Sequence, residues 1–173
     1  MTDIMPPVNF LGWIEENKDQ FKPPVGNKAL AVGDDFIIMV VGGPNSRTDY
    51  HHDPYEEWFY QIKGNIHVDL ITDDGPQRVD IHEGEVWMLP RNTYHSPQRP
   101  EQGSIGLVIE RVRAAGELER FAWFCPNCHH KVHEVELKVN DIVVDLPPVF
   151  AEFYNSDEGR VCAQCGTKHP GKG

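Results

Sequence analysis

The chain has 173 residues, enough for one well-buried core with a minor module and too few for two ordinary domains. Its formal net charge is -11 at pH 7, from 16 Lys and Arg against 27 Asp and Glu, and no segment concentrates the basic residues. That excludes the electrostatic footprint for wrapping nucleic acid or an anionic membrane and leaves a small-molecule partner as the better expectation.

The first ten residues, MTDIMPPVNF, have no basic stretch followed by an apolar one, and the longest apolar run, FIIMVVGG at 36–43, is too short to cross a bilayer. A soluble, cytoplasmic protein is expected. Residues 9–18, NFLGWIEENK, place Phe10, Trp13 and Ile14 on one helical face behind an Asn suited to capping, so a short amphipathic helix is predicted. KPPVGN at 22–27 reads as a loop, because two prolines fix φ and Gly26 permits a turn.

From 34 to 111 the pattern changes to short strands: DDFIIMVV, EWFYQIK, IHVDLIT, QRVDI, EVWMLP and IGLVIER, with Gly, Pro, Asn and Asp punctuation between them. Many short antiparallel strands at this spacing predict an all-β sandwich or small barrel. After RAAGELERF the character shifts, and residues 121–173 carry a strand candidate KVHEVELKV, a Pro-Pro break at 147 and 148, a helical stretch PVFAEFY and all four cysteines. The domain expectation is therefore 1–120 for the barrel and 121–173 for a metal-binding extension.

RTDYHHDPYEEWFYQIKGN at 47–65 raises the question of chemistry. Alternate strand residues share a face, so Arg47, Asp49, His51 and Asp53 go together, as do Glu57, Phe59 and Gln61, and again His95, Pro97 and Arg99. His51 and His52 cannot both face one site. Two imidazoles and one carboxylate on neighbouring strands form a facial triad that suits Fe(II) and leaves about three positions open. On composition alone the same residues read better as ordinary turn and strand positions, since His and Glu are common.

Glycine spacing alters that balance. The chain resembles the cupin family, whose motifs are G-x5-H-x-H-x3/4-E-x6-G and G-x5-P-x-G-x2-H-x3-N. His51, Glu57 and Gly64 fit the first, and Gly84, Pro90 and His95 fit the second. Asp53 stands where the first motif has its second histidine, and Asn92 and Arg99 replace the Gly and Asn of the second. The Asp53 change removes a ligand and opens a coordination position. Arg99 is aimed into the cavity, where a buried charge must meet an anion or pair with Glu110. The fold implied is a cupin jelly-roll barrel.

PPVGN, VVGGPN, RTDYH, EEWFYQIKG, HSPQRP and LVIER, followed by two CxxC pairs, narrow the resemblance to the bacterial 3-hydroxyanthranilate 3,4-dioxygenase family along essentially the full chain. It implies His51, Glu57 and His95 as ligands of a catalytic Fe(II), with 3-hydroxyanthranilate and O2 as substrates. The product implied is 2-amino-3-carboxymuconate 6-semialdehyde, which cyclises to quinolinate on the kynurenine route to NAD. Arg99 would hold the substrate carboxylate and Glu110 would serve as a base or hydrogen-bond acceptor. Arg47 would stabilise oxygen-derived anion, and Val25, Asn27 and Ile142 would wall the pocket.

Cys125 and Cys128 with Cys162 and Cys165 have the spacing of a tetrahedral four-thiolate site, and the resemblance implies a rubredoxin-like iron, or zinc, with a structural role. His129, His130, His133 and His169 lie nearby and are expected at the surface, because four sulfurs complete the shell. Two rival readings are a cupin isomerase or metal-dependent binding protein, and a dioxygenase for an isomeric aminohydroxybenzoate. A third is an interaction module whose barrel is structural. Outward Trp58, Tyr60 and Ile62 weakly favour a homodimer.

Overall fold

The computed structural model describes residues 6–22, 26–139 and 142–172. Helix α1, Phe10–Asn17, is capped by the Asn9 side chain, which accepts a hydrogen bond from the Gly12 amide at 2.9 Å. A 3-10 turn, Lys18–Phe21, then buries Phe21 against the barrel. No helix among the described residues is long and apolar enough to cross a membrane.

Eleven strands follow: β1 Asn27–Val32, β2 Phe36–Gly42, β3 Asp49–His52, β4 Glu57–Lys63, β5 Ile66–Thr72, β6 Gly75–Ile81, β7 Val86–Leu89, β8 Tyr94–Gln98, β9 Ile105–Arg111, β10 Glu119–Phe124 and β11 Lys131–Leu137. They form two antiparallel sheets, in the orders β1-β2-β9-β4-β7 and β11-β10-β3-β8-β5-β6. This is the all-β cupin architecture the motifs imply. Period-two alternation sets the inward faces, and in β4 Glu57, Phe59 and Gln61 are buried while their neighbours are partly exposed. Gly64, the last residue of the first motif, turns the chain into β5 with φ +69, a left-handed conformation that favours glycine.

Between the sheets lie Phe59, Ile66, Val68, Leu70, Ile81, Leu89 and Val108, an apolar floor beneath the polar end of the barrel. A second cluster joins Phe121 and Trp123 of β10 to Phe153 of helix α2, Ile142–Asn155. Trp123 stacks on Phe153 with centroids 4.4 Å apart, a contact of about 0.5–1.5 kcal/mol beyond area burial.

Four expectations change. NKALAV forms β1, an edge strand paired only with β2, although lysine and alanine are weak strand formers. ERFAWF forms β10, a strand that period-two alternation does not reveal because apolar residues stand on both of its faces. The expected boundary between residues 120 and 121 falls inside β10, which pairs with both β3 and β11, so the segment that follows continues the barrel sheet. Pro147 and Pro148 do not break the chain but lie within α2. There the burial of Phe153 on Trp123 holds a helix that has lost two backbone donors.

Candidate active site

Antiparallel pairing of β3 with β8 sets His51 opposite His95, and β4 begins at Glu57 beside them. His95 Nε2 lies 3.1 Å and His51 Nδ1 3.5 Å from the same oxygen, Glu57 Oε1. That oxygen is buried and accepts no hydrogen bond from any described residue. His95 Nδ1–H donates to the Thr93 carbonyl at 3.0 Å, which fixes the ring's orientation and turns Nε2 toward Glu57. One ligand atom from each of His51, Glu57 and His95 lies within 4.8 Å of the others. Two imidazole nitrogens converging on an otherwise unbonded carboxylate oxygen suit a divalent transition metal.

The electrostatics agree with that geometry. Burial alone would raise the Glu57 carboxyl, yet the facing imidazoles hold it well below the usual carboxylate range. Burial opposes a charge on His51, but the facing carboxylates of Glu119 and Glu57 raise its pKa to about 10. A cation entering the cluster must therefore displace a proton from His51.

Asp53, the residue that replaces the usual histidine, is 1% exposed and stands within the same polar end, its carboxylate grouped with those of Glu57 and Glu110. Burial pushes Asp53 up to about 6. Burial and then the charge of Glu57 push Glu110 up to about 7. The counter-charge is Arg113, whose Nη2 is 2.6 Å from Asp53, 2.7 Å from Glu110 and 3.0 Å from Glu119. Neither Arg113 nor Glu119 is anticipated from the motifs, because both lie beyond them in the stretch where β10 is hidden.

Arg99 does not pair with Glu110 as one sequence reading allowed. The register puts Arg99 beside Gln61 and Gly106, while Glu110 stands four residues farther along β9 and is taken by Arg113. Arg99 is 1% exposed, forms no ion pair among the described residues and hydrogen bonds to Gln61 Oε1 at 3.2 Å. Desolvation pushes it down to about 10. A Cβ on Gly106 would sit 2.7 Å from Arg99 Nη1, so glycine there is what makes room for the guanidinium.

Arg47 is part-exposed and ion-paired with Asp49. Asn27 opens β1 half-buried, paired with Val41. Val25 lies outside the described residues, as does the side chain of Ile142, the first residue of α2.

At the other end of β10 the four cysteines converge, with Sγ separations of 3.5 Å for Cys125 and Cys165 and 3.6 Å for Cys128 and Cys162. Four thiolates on a tetrahedral ion at about 2.3 Å would stand about 3.8 Å apart. The two knuckles repeat each other. The Cys125 amide donates to the His130 carbonyl and the His129 amide to the Cys125 carbonyl, while Cys162 does the same with Thr167 and Gly166. His129 and His130 are exposed as expected, but His133 stacks on Phe153 and His169 is 3% exposed. Aromatic packing against α2, not coordination, draws those two inward.

The family model described as 3-hydroxyanthranilic acid dioxygenase matches residues 1–154. A curated protein of Burkholderia lata named 3-hydroxyanthranilate 3,4-dioxygenase is 54% identical over 166 residues, covering 96% of this chain and 95% of its own. One of the same name from Jannaschia sp. is 50% identical over 164 residues, with 95% and 91% covered. Among solved structures, a cupin-2 domain containing protein from Shewanella frigidimarina is 19% identical, covers 61% of this chain and 94% of its own, and superposes with a TM-score of 0.48.

Proposed function

The chain belongs to the 3-hydroxyanthranilic acid dioxygenase family, and from that premise we propose how its own residues carry the reaction. The enzyme opens the ring of 3-hydroxyanthranilate with O2 between the hydroxyl-bearing carbon and its unsubstituted neighbour. Both oxygen atoms enter the product, 2-amino-3-carboxymuconate 6-semialdehyde, one as the aldehyde oxygen and one in a new carboxylate. That product closes to quinolinate with loss of water and without further enzyme, on the kynurenine route to NAD.

The observation that carries this reading is the convergence of His51 and His95 on the unbonded, buried oxygen of Glu57. These three side chains would hold Fe(II) and leave about three positions for substrate and O2. When bound, iron supplies the redox link by which electrons of the ring reach O2. Arg99, a buried cation with no ion-pair partner among the described residues, receives the substrate carboxylate and orients the ring. Glu110, with its carboxyl raised to about 7, takes the proton released when the phenol binds as phenolate. Arg47 offsets negative charge that develops on oxygen, and Asn27 contributes to the wall of the site. The four cysteines hold a second iron or zinc with a structural role. We place the enzyme in the cytoplasm as a homodimer joined through outward sheet residues such as Trp58.

Anaerobically iron-loaded protein given 3-hydroxyanthranilate and then air should consume one O2 per substrate. The absorbance of the semialdehyde should rise and then decay to quinolinate. Turnover of an isomeric aminohydroxybenzoate in its place would move the assignment to that substrate, and the absence of both would overturn it.

A further inference from the structure

The two imidazoles of the cluster are oriented by different means. His95 is fixed by a backbone carbonyl, that of Thr93. His51 instead depends on side chains of β10. Its Nε2–H donates to Glu119 Oε2 at 2.6 Å, and its ring lies on that of Phe121 with centroids 4.8 Å apart and planes 12° from parallel. Antiparallel pairing sets Phe121 opposite His51, and Glu119, two residues earlier, shares its inward face. Glu119 is 6% exposed, and the same oxygen is also 3.0 Å from Arg113 Nη2, so it is committed to two donors.

We propose that Glu119 is a positioning residue for the catalytic metal: its carboxylate, anchored by Arg113, holds the His51 ring in the rotation and tautomer that turn Nδ1 toward Glu57. Imidazoles that bind metals commonly donate their second N–H to a carboxylate, which sets the tautomer and raises the basicity of the ligating nitrogen. Here that partner comes from β10, outside both cupin motifs. The proposal rests on the reading of His51 as a metal ligand. Arg113 gives Glu119 a second task, because the guanidinium that anchors it also holds Asp53 and Glu110. The orientation of a ligand and the placement of the proposed base thus share one cation.

The test uses the full chain with zinc at the four cysteines and cobalt(II) titrated into the second site, followed by its absorption spectrum and by competition with a chelator. Glu119→Ala should raise the apparent cobalt Kd by about 10- to 100-fold. With diamagnetic zinc in the second site instead of cobalt, nitrogen-resolved NMR should show the hydrogen-bonded Nε2–H of His51 in the parent and lose that signal to solvent exchange in Glu119→Ala. Glu119→Gln keeps an acceptor for His51 and should recover most of the affinity. An E119A protein that binds cobalt within twofold of the parent, or an E119Q protein as weak as E119A, would overturn the proposal. If E119A does not fold, Glu119→Asp carries the same expectation, since it keeps the charge but withdraws the carboxylate by one methylene. His51→Ala separates the two levels: unchanged cobalt affinity there would remove His51 from the ligand set and the proposal with it.

Discussion

Arg99 Nη1 lies 3.2 Å from Gln61 Oε1, so a guanidinium 1% exposed to solvent rests on a neutral amide. An unpaired buried cation costs the free protein stability and is matched only when an anion arrives. Arg99→Met should therefore stabilise the substrate-free enzyme by about 1–3 kcal/mol while weakening binding of the substrate by about 2–5 kcal/mol. Thermal melting and an anaerobic substrate titration measure the two halves. Unchanged substrate affinity would remove Arg99 from the site.

Gly106 offers a way to disturb the same guanidinium without deleting it. A methyl group there would stand 2.7 Å from both Arg99 Nη1 and Gln61 Oε1, the far ends of two side chains that can move. Gly106→Ala should cost no more than about 1–3 kcal/mol of stability and should raise KM for 3-hydroxyanthranilate with little change in metal content. Steady-state kinetics beside a metal assay decide it, and an unaltered KM would mean that the position of Arg99 at Gln61 is irrelevant to binding.

Glu110 is pushed up to about 7, by burial first and then by the charge of Glu57, against the pull of Arg113. Its basic form accumulates as pH rises through that value. If it takes the phenolic proton, kcat/KM should climb with pH, with a midpoint near 7, and level off above. Glu110→Gln should flatten that limb and lower the rate by about 10²- to 10⁴-fold. Asp53, raised to about 6, is the neighbouring group that could mimic the effect. A pH profile of Asp53→Asn with the midpoint still near 7 assigns the limb to Glu110.

Where motif spacing and strand parity operate, the site is legible in the sequence. His51 and Glu57 are separated from His52 and Glu56 by parity and by the interval to Gly64, and the structure brings both to His95. Arg99 and Glu110 are correctly read as inward-facing residues, but parity carries no information about distance along a strand. Parity allows the two to pair, and the register of β4 and β9 rules it out. Arg113 and Glu119 escape because a loop residue and the first residue of a doubly apolar strand leave no periodic trace. The same masking hides β10, and with it the physical connection between the barrel and the cysteine segment.

β10 ends at Phe124, and Cys125 follows it with no exposed surface. Cys125→Ala should abolish metal binding by the four sulfurs and lower the melting temperature of the metal-loaded protein, since a structural four-thiolate site contributes folding free energy directly. The Trp123 and Phe153 contact does not involve the cysteines and should keep β10 on the barrel. The rate per metal ion bound at His51, Glu57 and His95, measured well below the lowered melting point, should then match the parent. A reduced rate with unchanged melting would show that the cysteine site acts on catalysis and not through stability.

Arg113 sits among three carboxylates, those of Asp53, Glu110 and Glu119. Replacing it by Met leaves them buried without a counter-charge, a loss of about 3–5 kcal/mol where all are ionised. The sign of the pH dependence follows from the shifts. Asp53 and Glu110 have folded-state values raised to about 6 and about 7. The folded state therefore holds more protons than the unfolded one over this range, and the resulting stability is lost as pH rises through those values. Without Arg113 both carboxyls move higher still, so the variant should be most compromised at pH 8 and approach the parent toward pH 5. Glu119, held below its usual value, stays ionised across that window and sets the part of the deficit that acid does not repair. Urea unfolding of parent and Arg113→Met at the two pH values measures the difference, and an equal deficit at both would show that Arg113 does not compensate Asp53 and Glu110.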